Sequence, residues 1–180
     1  THPLPPFENM TLRDAFWGAK QVMSFSDEDI RTIVATGEYT NPKAEEYVAK
    51  TLIARRDKIG RYWFAKINPL DRFKAEIKND SLRLSFDDLS VNSNLLDASN
   101  HQYSGTVKVG RKTLVKEIKE DTPKFTVDLS ETVSNQTQKT ILEFVIQTKG
   151  KLLTGNGKNV KVYVEILDEE SRVIGVQREE

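Results

Sequence analysis

The sequence predicts an α+β chain: an N-terminal three-helix segment (residues 1–67) packed on or beside a C-terminal antiparallel β-sandwich of the fibronectin III or Ig-like kind (residues 68–180). Three observations predict it. The hydrophobic rhythm switches once, near Asn68-Pro69-Leu70, from helical spacing to alternation. Explicit caps and stops punctuate the first part. Turn signals divide the roughly 110 residues of the second into seven or eight short strands, the size and count of such a sandwich.

In chain order, His2 to Pro6 holds three prolines and reads as an extended lead-in. Asn9 or Thr11 caps the first helix, with Asp14 placed to complete a capping-box arrangement behind Thr11. Leu12, Phe16, Ala19 and Met23 then share a face, flanked by Ala15 and Val22. Ser26 caps a second helix whose acidic start, Asp27-Glu28-Asp29, suits the positive end of the helix dipole. Ile30, Ile33 and Val34 are its apolar face and Gly37 its stop. Asn41-Pro42 opens a third helix, Asn as cap and Pro at the first helical position. Tyr47, Val48, Leu52 and Ile59 lie near one stripe with Ile53 at its border, and Gly60 is the expected stop.

Past Leu70, Phe73, Ala75 and Ile77 alternate with charged residues, Asn79-Asp80 turns the chain, and Leu82, Leu84 and Phe86 alternate again. Asp87 to Asn100 is the longest irregular connection, with room for a short helix. Tyr103 to Val109 and Leu114 to Ile118 flank Gly110-Arg111 as a hairpin. Pro123 introduces the strand of Phe125, Val127 and Leu129. Ile141 to Ile146 is the strongest strand and the expected centre of a sheet. Thr154 to Asn159 is turn chemistry, Val160 to Ile166 alternates cleanly, and Asp168 to Ser171 turns into Val173, Ile174 and Val176. Such closely spaced hairpins fit antiparallel pairing.

Composition narrows the function. The 27 basic and 27 acidic residues cancel, and the balance holds in both parts: 10 against 9 up to Leu70, 17 against 18 after it. No net field draws the chain to nucleic acid, so none is expected as a partner. With no cysteine, disulfides, thiolate metal sites and a cysteine nucleophile are excluded, and so is a disulfide-bearing immunoglobulin domain. No run approaches the roughly 18 apolar residues of a membrane span, and the start lacks the pattern of a signal peptide. A first residue other than Met fits an excised or processed chain.

Motifs that carry chemistry fall away one by one. Gly155-Asn156-Gly157 lies between strands, so it reads as a hairpin loop and not a phosphate loop. Arg56-Asp57 lacks the preceding His and the following Asn of a kinase catalytic loop. His2 and His101 belong to no metal-ligand spacing. The acidic runs Asp27 to Asp29, Asp87-Asp88 and Asp168 to Glu170 read as a helix start and solvated turns before they read as calcium ligands. Asn9-Met10-Thr11 and Asn135-Gln136-Thr137 match the glycosylation acceptor pattern, which matters only in a secreted eukaryotic chain. No cofactor or metal is implied, and an independent enzyme is not the expectation.

The densest segment is Arg55-Arg56-Asp57-Lys58-Ile59-Gly60-Arg61-Tyr62-Trp63-Phe64. As a binding surface, Arg55, Arg56 and Arg61 would hold carboxylate or phosphate, with Asp57 among them and Tyr62 and Trp63 as stacking platforms. As structure, its cations suit a helix C-terminus, and the aromatics beyond it wedge between the two parts in a strand or linker. The structural reading is the stronger, and Trp63 is the expected wedge. Trp17 joins these residues as a candidate contact.

The runs Phe7 to Thr11, Asp14 to Phe25 (through Phe16-Trp17-Gly18-Ala19-Lys20), Asp27 to Arg31 and Leu52 to Phe64 resemble the C-terminal part of large, mostly uncharacterised bacterial proteins, in which a β-rich tail follows. The resemblance covers the first 70 residues well and the β part by placement only. It implies a terminal module of a secreted or envelope-associated protein, hence an extracellular, periplasmic or cell-envelope location, and nothing catalytic. The resulting expectation is a non-catalytic accessory or interaction module whose partner is an upstream domain of the parent chain or another protein. The rival is a segment completing an active site or anion-binding site shared with such a domain, with Arg55, Arg56, Asp57 and Arg61 as working groups. Carbohydrate is the weaker ligand, because the β part offers only Tyr103, Tyr163 and four Phe, with no Trp.

Overall fold

A computed structural model describes residues 4–97, 99, 101–130, 139–150, 158–167 and 170–179. The chain is α+β, helices leading into two antiparallel sheets of three and five strands. The calls on His2, Asn135-Gln136-Thr137, Gly155-Asn156-Gly157 and Asp168-Glu169 lie outside the described residues.

Among the described residues, four helices precede the sheets. The single turn α1 (Pro5–Glu8) takes in Pro5 and Pro6 at the end of the expected lead-in, with Leu4 extended before it, since Pro at a helix start gives up no hydrogen bond. Thr11 caps α2 (Leu12–Met23) in a reciprocal box with Asp14, and Ser26 caps α3 (Asp27–Ala35) in the same way with Asp29. The left-handed residue past α3 is Glu38 (φ 47°) and not Gly37. Asn41 caps α4 (Pro42–Lys66), which runs straight through Gly60.

That continuation corrects the expected stop. Gly60 is buried in the interior of α4, and a Cβ there would lie 2.5 Å from Met23 Sδ and 2.7 Å from Leu95 Cδ1. It is a close-approach glycine: α2 and the segment carrying Leu95 come too near for a side chain. The segment Arg61 to Phe64 is therefore helical, not a strand or linker. The inserted aromatic is Phe64, 1% exposed, while Trp63 is only half-buried.

β1 (Leu70–Lys78), β2 (Ser81–Asp88) and β5 (Lys124–Asp128) form one sheet in the order β1-β2-β5. The other has the order β4-β3-β6-β7-β8, from β3 (His101–Val109), β4 (Lys112–Glu120), β6 (Thr140–Gly150), β7 (Val160–Leu167) and β8 (Glu170–Arg178). A short α5 (Leu89–Asn92) follows β2. Asn79 and Asp80 both take positive φ (50° and 56°), the backbone of a type I′ hairpin turn.

The alternating residues of both sheets meet in one core: Leu82, Leu84 and Phe86 from β2, Phe125 from β5, Leu142 and Phe144 from β6. Phe86 makes ring contacts with Phe73, Tyr103 and Phe125 at 5.4–5.6 Å. Gly105 leaves room for Phe125, whose ring edge lies 2.8 Å from where a Cβ would stand. Alongside, β8 lies next to β1, and β4 next to β5.

A second cluster joins the helices to the sheets. Ala15, Phe16 and Ala19 of α2 pack with Phe64, Ile67, Leu89 and Leu95. Ile30 and Val34 of α3 pack separately on Ala49 of α4. No described helix is long and apolar enough to cross a membrane.

Candidate functional site

The residues singled out from the sequence do not converge. Arg56, with an 11% exposed side chain, binds Asp57 Oδ1 through Nε (2.9 Å) and Nη2 (2.7 Å), and reaches Phe25 O (2.8 Å) and Asp27 Oδ1 (2.6 Å). Arg56 and Asp57 thus clasp α4 to the start of α3. Arg55 and Arg61 are exposed and make no ion pair with the described residues. Near the end of α4, Tyr62 and Trp63 meet edge-on at 4.9 Å. Lys66 Nζ lies 4.3 Å over the Tyr62 ring and donates to its hydroxyl oxygen at 2.6 Å. Trp17 stands out from α2 at 65% exposure, Tyr62 from α4 at 52%.

Two arrangements were not anticipated. The first is a buried polar network at the end of β2. Asp88, 1% exposed, accepts from Ser90 N (3.0 Å), Ser90 Oγ (2.5 Å) and Tyr103 OH (3.1 Å), and pairs with His101 Nδ1 (2.7 Å). It is also the N-cap of α5. Burial alone would push the Asp88 carboxyl up; the hydrogen bonds from His101, Ser90 and Tyr103, with the attraction of His101, outweigh it and hold the group below its ordinary value. Burial, then the Asp88 charge, pushes the Tyr103 phenol up. Ser90 gives its hydroxyl proton to the carboxylate, so the nucleophile–base–orienter order of acyl transfer is not assembled. The network joins β2, α5 and β3. Its one sequence signal is Asp-x-Ser, a helix cap; the burial comes from residues 13 and 15 positions further on.

The second is a cleft of about 640 Å³ between the first turns of α2 and the end of β8, lined by Leu12, Arg13, Phe16, Ile67, Val176 and Arg178, with Gln177 and Glu179 at its side. Arg178 crosses from sheet to helix. Its Nη2 donates to Leu70 O (2.5 Å) and Asp71 Oδ1 (3.3 Å), and its guanidinium lies 4.2 Å from the Phe16 ring centroid. Lys20 of α2 forms an ion pair with the same Asp71. Burial lowers the Asp71 carboxyl's readiness to ionise, yet Lys20 and Arg178 prevail and hold its pKa below the ordinary range. Nearby, Asn68 donates to Lys158 O (3.2 Å) and accepts from Thr148 Oγ1 (3.1 Å).

In the described acidic runs, 27–29 and 87–88, carboxylates are engaged within the fold. Asp29 completes a cap, Asp27 holds Arg56 and Asp87 pairs with Arg72. Among the described residues, no three His, Cys, Asp or Glu side chains are grouped to hold a metal ion. Compared with models of protein families and with curated proteins, the chain matches none.

Proposed function

We propose that the chain is a non-catalytic interaction module: a three-helix unit mounted on a β-sandwich of the fibronectin III kind, which presents its helices to another domain of the parent chain or to a separate protein. The strand orders β1-β2-β5 and β4-β3-β6-β7 support that kinship of fold, being the three-plus-four layout of such a domain with β8 added at one edge. The observation that carries the function is aromatic exposure on the helices. Trp17, Tyr47 and Tyr62 are 65%, 72% and 52% exposed, with Leu52 and Ile59 also open on α4. Tyr and Trp are the side chains enriched at the energetic centres of protein interfaces. Arg55 and Arg61 edge the same helix. The resemblance of residues 7–64 to the C-terminal part of large bacterial proteins is what supports a location outside the cytoplasm in this reading.

Paired capture experiments test this. The full chain and a Trp17→Ser/Tyr62→Ser variant, matched for circular dichroism, are used as baits under identical conditions. A partner bound by the parent and lost by the variant supports the reading. A partner bound equally by both overturns it.

A further inference from the structure

The cleft between α2 and β8 holds a cation that the protein leaves incompletely satisfied. The Arg178 side chain is only 21% exposed. Among the described residues its hydrogen bonds all leave Nη2, and the buried Nε has no acceptor. Buried donors in native structures nearly always have a partner, so an orphan guanidinium N–H needs an explanation.

Its surroundings supply one. Arg13, exposed in the first turn of α2, faces the same space. Lys20 takes up part of the charge of Asp71, the carboxylate that Arg178 pairs with among the described residues. Glu179 also borders the cleft, but its Oε2 is held by Asn159 N (3.1 Å) and Nδ2 (2.8 Å). Among the described residues, Arg13 and Arg178 line the cleft with the carboxylate of Glu179, while Lys20 and Asp71 pair beside it. Burial is the chief cause that holds Arg178 below an ordinary arginine; Asp71 opposes it and the Arg13 charge adds to it. An anion seated here would relieve both.

We infer that the cleft binds a carboxylate joined to an apolar body, the acid held by Arg13 and Arg178 and the body resting on Leu12, Phe16, Ile67 and Val176. Two arginines against the one carboxylate among the described lining residues suit a monoanion; a doubly charged phosphate would exceed that balance beside Glu179. Guanidinium groups match a carboxylate in shape as well as charge. About 640 Å³ is the volume of an ordinary small-ligand pocket. The C-terminal residue of a peptide and a free N-acyl amino acid share this chemistry. The site deepens the interaction-module reading without depending on the aromatic face of the helices.

The full chain is titrated with N-acetylphenylalanine, with its amide, and with an N-acetylated tripeptide ending in phenylalanine, while NMR follows the methyl groups of Leu12, Ile67 and Val176. The acid is expected to shift these methyls and to saturate in the millimolar range natural to so small a ligand. The amide should bind at least about tenfold more weakly, and Arg13→Gln should weaken the acid about tenfold. Arg178 also braces the fold, so the second variant is Val176→Trp, which fills the cleft from a position 41% exposed and should abolish the shifts. Tighter binding of the tripeptide identifies a chain terminus as the source, and tighter binding of the free acid a small molecule. Equal affinity for acid and amide, shifts centred elsewhere, or unchanged binding by both variants overturns the proposal.

Discussion

Replacing Asp88 with Asn changes one atom of a buried network and leaves its volume almost untouched. In the parent, Oδ1 accepts from Ser90 N and Oγ, and Oδ2 meets His101 Nδ1 and Tyr103 OH. Asn keeps one acceptor for Ser90 N and Oγ, but it removes the charge that His101 Nδ1 and Tyr103 OH are bonded to and forces both to change their hydrogen-bonding role. Each hydrogen bond to a charged group contributes about 1.5–3 kcal/mol, and breaking a buried charged network costs about 3–5 kcal/mol. The expected loss is about 3–5 kcal/mol, or roughly 6–20 °C in Tm for a chain of this size. Urea unfolding should be followed by fluorescence, which reports the helices because Trp17 and Trp63 both lie there, and by circular dichroism of the sheets. Asp88 joins β2 to α5, and Leu89 of α5 packs with Phe64, so both signals should move together. Acid gives the network a signature. The folded Asp88 pKa is lowered, so its contribution is present above the unfolded value of about 3.9 and is lost as pH falls toward the folded value. The gap between parent and variant should hold at pH 5 and shrink by roughly 1.4 kcal/mol per pH unit below about 3.9. Other carboxylates titrate in both chains and cancel in the difference. A cost under about 1 kcal/mol, or a gap that stays flat from about pH 5 to 3, would refute a charged, bonded Asp88.

Further substitutions separate structural residues from surface ones. Phe64→Ala should cost about 3–5 kcal/mol and Trp63→Ala about half that or less, measured by denaturant unfolding, because Phe64 is the buried wedge. Arg56→Ala should cost about 1–3 kcal/mol through the lost clasp on Asp27, Asp57 and Phe25, whereas Arg55→Ala should stay within about 0.5 kcal/mol in the same assay. Gly60→Val should destabilise by about 1–3 kcal/mol through overpacking against Met23 and Leu95. By contrast Gly18→Ala, whose Cβ meets nothing within 4 Å, should raise the thermal midpoint through about 1 kcal/mol of helix propensity.

Legibility in the sequence follows the range of the interaction that fixes each feature. The caps at Thr11, Ser26 and Asn41 are decided within three residues, and all three form where the side chains place them. Alternation marks the strands for the same reason, and Ile141 to Ile146 falls in β6, between β3 and β7. Gly60 misleads because a helix stop and a close approach both call for glycine, and the atoms that choose between them belong to Met23 and Leu95. With Gly60 inside the helix, the four residues after it rotate by helical steps, turning Phe64 inward and Tyr62 outward. Asp88 reads as a solvated turn residue until His101 and Tyr103 close over it. Arg178 has no local signal at all: its carboxylate partner, Asp71, lies 107 positions away.

The joint between helices and sheets combines an apolar cluster with ion pairs. Apolar packing there is confined to the cluster around Phe16, Phe64 and Ile67, and beside it stand Lys20, Asp71 and Arg178. Asp71 reaches both cations because β1 is irregular just there. Arg72 takes a left-handed backbone (φ 51°), and the pairing with β2 slips between Asp71 and Lys74. Such a bulge bends its strand and re-aims a side chain, and a non-glycine residue held left-handed carries a cost the surroundings must outweigh. Here that cost goes into directing one carboxylate at two elements. A ligand in the adjacent cleft would touch α2 and β8 together, so its binding energy bears on the joint itself. A partner gripping Trp17 and Tyr62 would touch the helices alone. The two proposed surfaces would therefore differ in what they transmit: contacts on the helices alone would only recruit, whereas a ligand in the cleft would also strengthen the attachment of the helices to the sheets.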